Sequence, residues 1–234
     1  VFSGLNYDQM KKFEKEFSIN FKKNHYILFG INRFNKDKTR YYNSLIIVNN
    51  SLEIIQEYNK QKLVPFGEFL PLENILNKFG LKKITEGHGS FLSGNDNGSL
   101  KILNANILPL ICYEIIFPEL IQSSDQDTNL VVNISEDGWF GNSIGPYQHF
   151  AKGIFRAIEK NAFFIRSANK GISAIISNNG LVLKKLYPNE AGNIEFEVPL
   201  ISNKNKNKND LIFFVLLITY IFIFNFYEKK NVKK

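Results

Sequence analysis

Leu108–Leu120 reads LPLICYEIIFPEL. An apolar run, Ile107–Ile111, ends on Cys112, the single cysteine of the chain, and a carboxylate, Glu114, follows two residues later. The run predicts a buried strand with the cysteine at its C-terminal end. Pro118 allows helix at its first turn but not deep inside, so Ile115–Gln122 is expected to be helical only in part. Leu130–Ile134 repeats the strand pattern. Tyr147–Asn161 places Phe150, Ile154, Ala157 and Ile158 at helical spacing, which predicts a helix with one buried face. Phe163–Ser167 and Ile172–Ser177 follow as strands, punctuated by Gly171 and Asn179-Gly180.

Upstream, Tyr7–Phe17 reads as an amphipathic helix, and Tyr26–Ile31 and Ser44–Val48 as strands. Leu63–Pro71, LVPFGEFLP, is a loop set by Pro and Gly, and Leu72–Phe79 reads as a short helix. Strands recur both with intervening helices and as hairpins. The fold class is therefore α/β with a mixed sheet in a layered sandwich.

Composition excludes several classes. With 22 Phe, 10 Tyr and 44% hydrophobic residues, disorder does not describe the whole chain. One cysteine rules out an intrachain disulfide. The net charge of +7 suggests nucleic acid, but its distribution does not. Seven lysines against Asp210 and Glu228 give residues 203–234 a charge of +5, leaving +2 for the rest. Only Arg33, Arg40, Arg156 and Arg166 could supply the guanidinium forks that read bases and phosphates. No nucleic-acid partner is expected.

The chain divides at about residue 202. Residues 203–210 form a polar linker, NKNKNKND; residues 211–227, LIFFVLLITYIFIFNFY, carry no charge; residues 228–234 form a basic tail. Seventeen helical residues span about 25 Å, the short end of what a bilayer core requires. A transmembrane helix is expected there, the alternative being a buried core helix or a strand pair. Four lysines after it and three before it point to a cytoplasmic C-terminus and a body on the outer face.

Cys112 admits two readings. Free cysteines usually pack as small hydrophobes. A thiol at the end of a buried strand is also held rigidly, with the Tyr113 amide able to face an oxyanion, and a nearby cation would favour the thiolate. His149, His88 and His25 are possible partners, although each is more commonly a surface or core-edge histidine. No histidine pair has metal-ligand spacing, so no metal site is expected. Lys60, Glu68 and Glu114 are further candidates. Ser135–Pro146, SEDGWFGNSIGP, is a Gly-rich loop holding the only tryptophan, Trp139.

Three ordered motifs resemble one family. YNKQKLVPFGEFLPLE (58–73), ICYEIIFPEL (111–120) and NISEDGWFGNSIGPYQHFAKGIFRAIEKNAFFIRSANKGISAIISNNG (133–180) are similar to the catalytic domain of bacterial apolipoprotein N-acyltransferases. These form the membrane-bound branch of the nitrilase, or carbon–nitrogen hydrolase, superfamily. The likeness covers roughly residues 25–200 and implies an α-β-β-α sandwich over 1–202, followed by a transmembrane helix. By the resemblance Cys112 is the nucleophile, Lys60 the lysine of a Glu-Lys-Cys triad, Glu68 the loop glutamate and Glu114 the acid beside the nucleophile. Tyr113 and Trp139 would line the substrate pocket.

The implied activity is ping-pong acyl transfer without cofactor. A phospholipid donates an acyl chain to Cys112, and the N-terminal amine of an S-diacylglyceryl-cysteine apolipoprotein accepts it. The implied setting is a monomer in the bacterial inner membrane, with the catalytic domain on the periplasmic face. The family's general base, a glutamate in a Pro-Glu motif, should lie before Tyr7. Glu14 and Glu16 fall too far into the first helix to replace it, so an N-terminally truncated, catalytically incomplete chain is expected. Glu136 and Tyr147 stand where Asn and Trp are more usual. Two alternatives remain: an amidase or nitrilase acting on a small amide, and a membrane-tethered binding module without chemistry.

Overall fold

A computed structural model describes residues 6–72, 90–95, 98–201 and 209–231, with the side chains of 211–226 described in the last segment. Residues 1–202 and 203–234 are separate compact units.

In the first unit, α1 (Tyr7–Lys11) and α2 (Glu14–Asn20) precede the hairpin β1 (Ile27–Phe34) and β2 (Tyr41–Val48), which is joined by β3 (Ile54–Asn59). These strands form an antiparallel sheet in the order β1-β2-β3. Next come β4 (Leu100–Ile102), β5 (Ala105–Ile111), a 3₁₀ turn over Cys112–Ile116, and α3 (Pro118–Gln122). Then β6 (Leu130–Glu136), a 3₁₀ turn over Asp137–Phe140, α4 (Gly145–Lys160), β7 (Phe163–Asn169), β8 (Ser173–Ile176) and β9 (Val182–Leu186) complete it. Strands β4 to β9 make a second sheet in chain order, with β5, β6 and β7 parallel and the remaining pairs antiparallel. The parallel strands are linked through α3 and α4, the crossover that parallel pairing requires.

Side-chain alternation assigns the layers. Ile46 and Val48 of β2 pack with Met10, Phe29 and Ile31, whereas Leu45 and Ile47 face Ile107, Ile111, Leu130, Val132 and Ile134 of the second sheet. On that sheet's other face, Leu108, Leu110 and Val131 pack with Leu120, Ile121 and Ala157 from α3 and α4. The order is thus helices, sheet, sheet, helices. The apolar runs at 107–111 and 130–134 are continuous because both faces of those strands are buried.

Several expectations are corrected. Tyr7–Phe17 is two helices, not one: α1 closes through an Asn6–Gln9 capping box, and the chain breaks at Lys12–Phe13 before α2. Lys11 is tied across this break to Glu14 at 3.1 Å and to the Ser51 carbonyl at 2.9 Å. Strand β3, just before Lys60, is an addition, because IIQEYN lacks a clean period-two pattern. Pro118 sits in the first turn of α3, where its missing N–H costs nothing. The helix expected over Leu72–Phe79 lies outside the described residues.

The second unit contains α5 (Asn209–Asn231), 23 residues long. The side chains of Leu211–Phe226 are exposed. Among the described residues no helix is long and apolar enough to cross a membrane. The sixteen positions of Leu211–Phe226, Thr219 and Asn225 among them, reach about 24 Å at 1.5 Å each, short of a core of roughly 30 Å.

Candidate active site

Cys112 begins the turn at the C-terminal end of β5, partly exposed, with φ +50°. A left-handed backbone at a non-glycine residue costs about 1–2 kcal/mol and must be held by its surroundings. On one side β5 pairs with β6, and β6 with β7, so the carboxyl ends of three parallel strands meet at one end of the sheet. Crevices at the carboxyl ends of parallel strands are where α/β sheets place ligand sites.

Lys60 follows β3 and is 1% exposed. Its ammonium lies 2.9 and 2.8 Å from the two carboxylate oxygens of Glu68. Glu68 also accepts from Asn43 Nδ2 at 2.8 Å and from the Val64 N–H at 2.8 Å. A lysine can be buried only with such a partner. The LVPFGE loop therefore folds back so that Glu68 meets Lys60.

Glu114 joins this loop to the cysteine turn. It is fully buried. Its Oε1 accepts from Tyr58 Oη at 2.8 Å, the Gln61 N–H at 2.7 Å and the Lys62 N–H at 3.2 Å, while Oε2 accepts from the Ile111 N–H at 2.7 Å. Burial pushes the Glu114 carboxyl above the usual range, against these donors and the charge of Lys60. Burial, then the neighbouring Glu114, pushes the Tyr58 hydroxyl up as well, so it stays a neutral donor. All four contacts to Glu114 are donors on the elements flanking Lys60 and Cys112. The group works as a clamp between the two.

Beneath Cys112 lies a second buried network. Arg166 of β7 donates to Asp137 Oδ2 at 2.6 Å, to Asn133 Oδ1 and to the Ile172 carbonyl at 3.2 Å. Asn133 Nδ2 donates to the Leu110 carbonyl at 2.9 Å, and Ser135 Oγ to Asp137 Oδ1 at 2.6 Å. His149 of α4 places Nδ1 2.9 Å from Asp137 Oδ1 and Nε2 3.2 Å from the Cys112 carbonyl oxygen. Burial alone would raise the Asp137 carboxyl, but His149, Arg166 and Ser135 hold it below the ordinary carboxylate range. Burial lowers the Arg166 pKa, opposed by Asp137 and by the charge of Cys112 when it is a thiolate.

The expected residues divide accordingly. Lys60 meets Glu68, and Glu114 bonds the main chain beside both Lys60 and Cys112, at Gln61 and at Ile111. Tyr113, next to Cys112, stacks edge-on with Phe117 at 5.1 Å. Trp139 projects from the turn after β6, 68% exposed. His149 reaches the main chain of Cys112, His25 is a surface residue, and His88 lies outside the described residues. Tyr58, Asn43, Asn133, Asp137 and Arg166 were not singled out for the site. The available signal was a polar residue inside an otherwise apolar strand, as in LVVNI and FFIRS.

Gly94 lets one strap pass over Lys60. Its N–H bonds the Lys60 carbonyl at 2.8 Å, and a Cβ there would fall 2.1 Å from the Asn59 carbonyl oxygen. Gly94→Ala is therefore expected to cost roughly 1–3 kcal/mol, as overpacking does, and to depress activity by displacing Lys60. Urea unfolding checks the first effect; an unchanged midpoint would mean the strap moves freely.

The carbon-nitrogen hydrolase family profile matches residues 17–202. Among curated proteins, the chain is 42% identical over 161 residues to an apolipoprotein N-acyltransferase of Rhizobium leguminosarum bv. trifolii, covering 68% of this chain and 30% of that protein. It is 40% identical over 169 residues to that of Rickettsia typhi, covering 72% and 34%, and 37% over 194 residues to that of Rickettsia prowazekii, covering 82% and 38%. The chain spans about a third of the length of these relatives. Among solved structures, an amidase from Nesterenkonia sp. AN1, with acrylamide added at its active-site cysteine, superposes with a TM-score of 0.55. That match covers 80% of this chain and 69% of the other at 15% identity, a likeness of fold alone. With the profile covering most of the chain and the nitrilase-like α-β-β-α sandwich in place, this chain belongs to the carbon–nitrogen hydrolase family.

Proposed function

We propose that the chain is the catalytic portion of an enzyme that moves an acyl group from a phospholipid to the N-terminal amine of an S-diacylglyceryl-cysteine apolipoprotein. Cys112 would carry the acyl group between them as a thioester. The observation that supports this reading is the Glu114 carboxylate bonded to the main chain beside both Lys60 and Cys112, with Lys60 paired to Glu68, in a chain whose curated relatives are apolipoprotein N-acyltransferases.

In the first half-reaction the thiolate attacks the ester carbonyl. Lys60 and the Tyr113 N–H stabilise the oxyanion, and the lysophospholipid leaves with a proton. In the second half-reaction the amine attacks the thioester, forms the amide and releases the thiol. Both site carboxylates are already engaged, Glu68 with Lys60 and Glu114 with four donors. By the resemblance, the proton of the thiol passes to the glutamate of a Pro-Glu motif rather than to either of these. Tyr113 and Trp139 face the substrates in this reading.

Helix α5 would hold the enzyme at the inner membrane, with the catalytic domain on the periplasmic side. Its polar side chains bond their own helix: Thr219 Oγ1 to the Val215 carbonyl at 2.7 Å and Asn225 Nδ2 to the Ile221 carbonyl at 2.8 Å. Such internal satisfaction suits an apolar surrounding.

The test is transfer of a labelled acyl chain from phospholipid vesicles to a synthetic S-diacylglyceryl-cysteine peptide by the full-length protein, with a small amide as the competing substrate. Acylated peptide with little amide hydrolysis is expected. Amide hydrolysis without peptide acylation would make the enzyme an amidase, and neither product would make it a binding module. Carbonate should leave the protein in the membrane fraction and detergent should release it; extraction by carbonate would exclude an integral anchor.

A further inference from the structure

His149 has no part in the chemistry above, yet it is 4% exposed and bonded at both ring nitrogens. The Cys112 carbonyl can only accept, so the contact places a proton on Nε2. On the other side, Nδ1 lies 2.9 Å from Asp137 Oδ1, to which it donates when protonated, and 3.1 Å from Arg166 Nη2, from which it accepts when it is not. Arg166 is in turn fixed by Asn133 and the Ile172 carbonyl. The ring therefore has one orientation, set by Asp137 in the turn after β6 and by Arg166 on β7, the latter fixed by Asn133 on β6 and by Ile172 just before β8.

The atom it grips belongs to the strained residue of the turn. A peptide unit is planar and trans, so the Cys112 C=O and the Tyr113 N–H are locked in opposite directions in one plane. Fixing one fixes the other. With Cys112 at φ +50°, that plane would relax without an external hold.

We infer that His149, fixed by Asp137 and Arg166, is a positioning residue of the nucleophile: its bond to the Cys112 carbonyl sets the Cys112–Tyr113 peptide plane and so aims the Tyr113 N–H at the oxyanion. This rests on the acyl-enzyme reading above. Thiol attack on a carbonyl needs the oxyanion donor, whereas alkylation of the thiol by iodoacetamide generates no oxyanion. The two reactions separate aim from thiol access.

Two variants divide the ring's contacts. His149→Gln can put an amide N–H where Nε2 stands and keep the carbonyl bond; His149→Asn reaches only the Nδ1 level, next to Asp137. In the full-length protein, acylation is read as the p-nitrophenolate burst from p-nitrophenyl butyrate, and alkylation by iodoacetamide as peptide mass at Cys112. His149→Gln should burst within about threefold of wild type, while His149→Asn should lose about 100-fold in burst rate constant with its half-saturating ester concentration nearly unchanged, the loss expected for a misaimed oxyanion donor. Alkylation of both should stay within about threefold of wild type.

Equal burst rates in the two variants, both active or both inactive, would overturn the inference. So would alkylation of His149→Asn falling in step with its burst, which marks a disturbed fold. A wild type that bursts with p-nitrophenyl butyrate but takes no acyl group from phospholipid would refute the acyl-transfer reading, leaving the Gln–Asn comparison to judge this one. No burst in the wild type would overturn both.

Discussion

Cys112→Ala in the full-length protein is expected to abolish acyl-enzyme formation, a loss of about 10⁴-fold or more, as removal of a covalent nucleophile produces. Cys112→Ser should come close to the same result. Its hydroxyl is a far weaker nucleophile at neutral pH, and Glu68 and Glu114, already bonded, are poorly placed to activate it. The fold should survive either change. Cys112 lies at the edge of the core between the sheets, and neither substitution adds volume or alters the backbone demand at φ +50°. Thermal unfolding within a few degrees of wild type would therefore accompany the lost activity. A Cys112→Ala protein that still acylated an apolipoprotein peptide would remove the cysteine from the mechanism.

Arg166→Met should have the largest effect on stability, about 3–5 kcal/mol, because it leaves the Asp137 carboxylate buried without its cation. Both side chains of the pair are completely buried. For a domain whose total stability is of order 5–15 kcal/mol, a loss of that size leaves a marginal fold. Adding Asp137→Asn should recover part of it, since the uncompensated charge is then gone, and the two changes should be clearly non-additive. Urea unfolding of the single and double variants measures this coupling. A loss below about 1 kcal/mol in Arg166→Met would mean that water reaches Asp137 and the network is not a buried one.

The strands and most helices were legible because their patterns are local. The runs at 107–111 and 130–134 read as buried strands, and Pro118 limited helix within Ile115–Gln122 to a part, which the structure places at Pro118–Gln122. The break between α1 and α2 was not legible. It depends on Lys11 bonding Ser51, forty residues away. Strand β3 was missed for a related reason: IIQEYN forms a strand by pairing with β2, and its period is disturbed by a register shift at Ile47/Val48.

In the site, the resemblance singled out Cys112, Lys60, Glu68 and Glu114, but residue type alone left each of them open. Their partners were harder still. Tyr58 meets Glu114 across 56 residues and Arg166 meets Asn133 across 33, distances that no spacing argument spans. The placement of a buried Asn and a buried Arg on adjacent parallel strands, at partner positions 133 and 166, was the one signal available. It requires knowing that β6 and β7 pair.

The central claim is that Cys112 carries an acyl group taken from a phospholipid. Its most direct test is intact mass and peptide mapping of the full-length protein after rapid mixing with dioleoyl phosphatidylethanolamine vesicles and acid quenching. The account predicts one oleoyl adduct, on the Cys112 peptide, labile to hydroxylamine and discharged when a diacylglyceryl-cysteine peptide is added. An unmodified Cys112, under conditions where the same protein acylates that peptide, would contradict it.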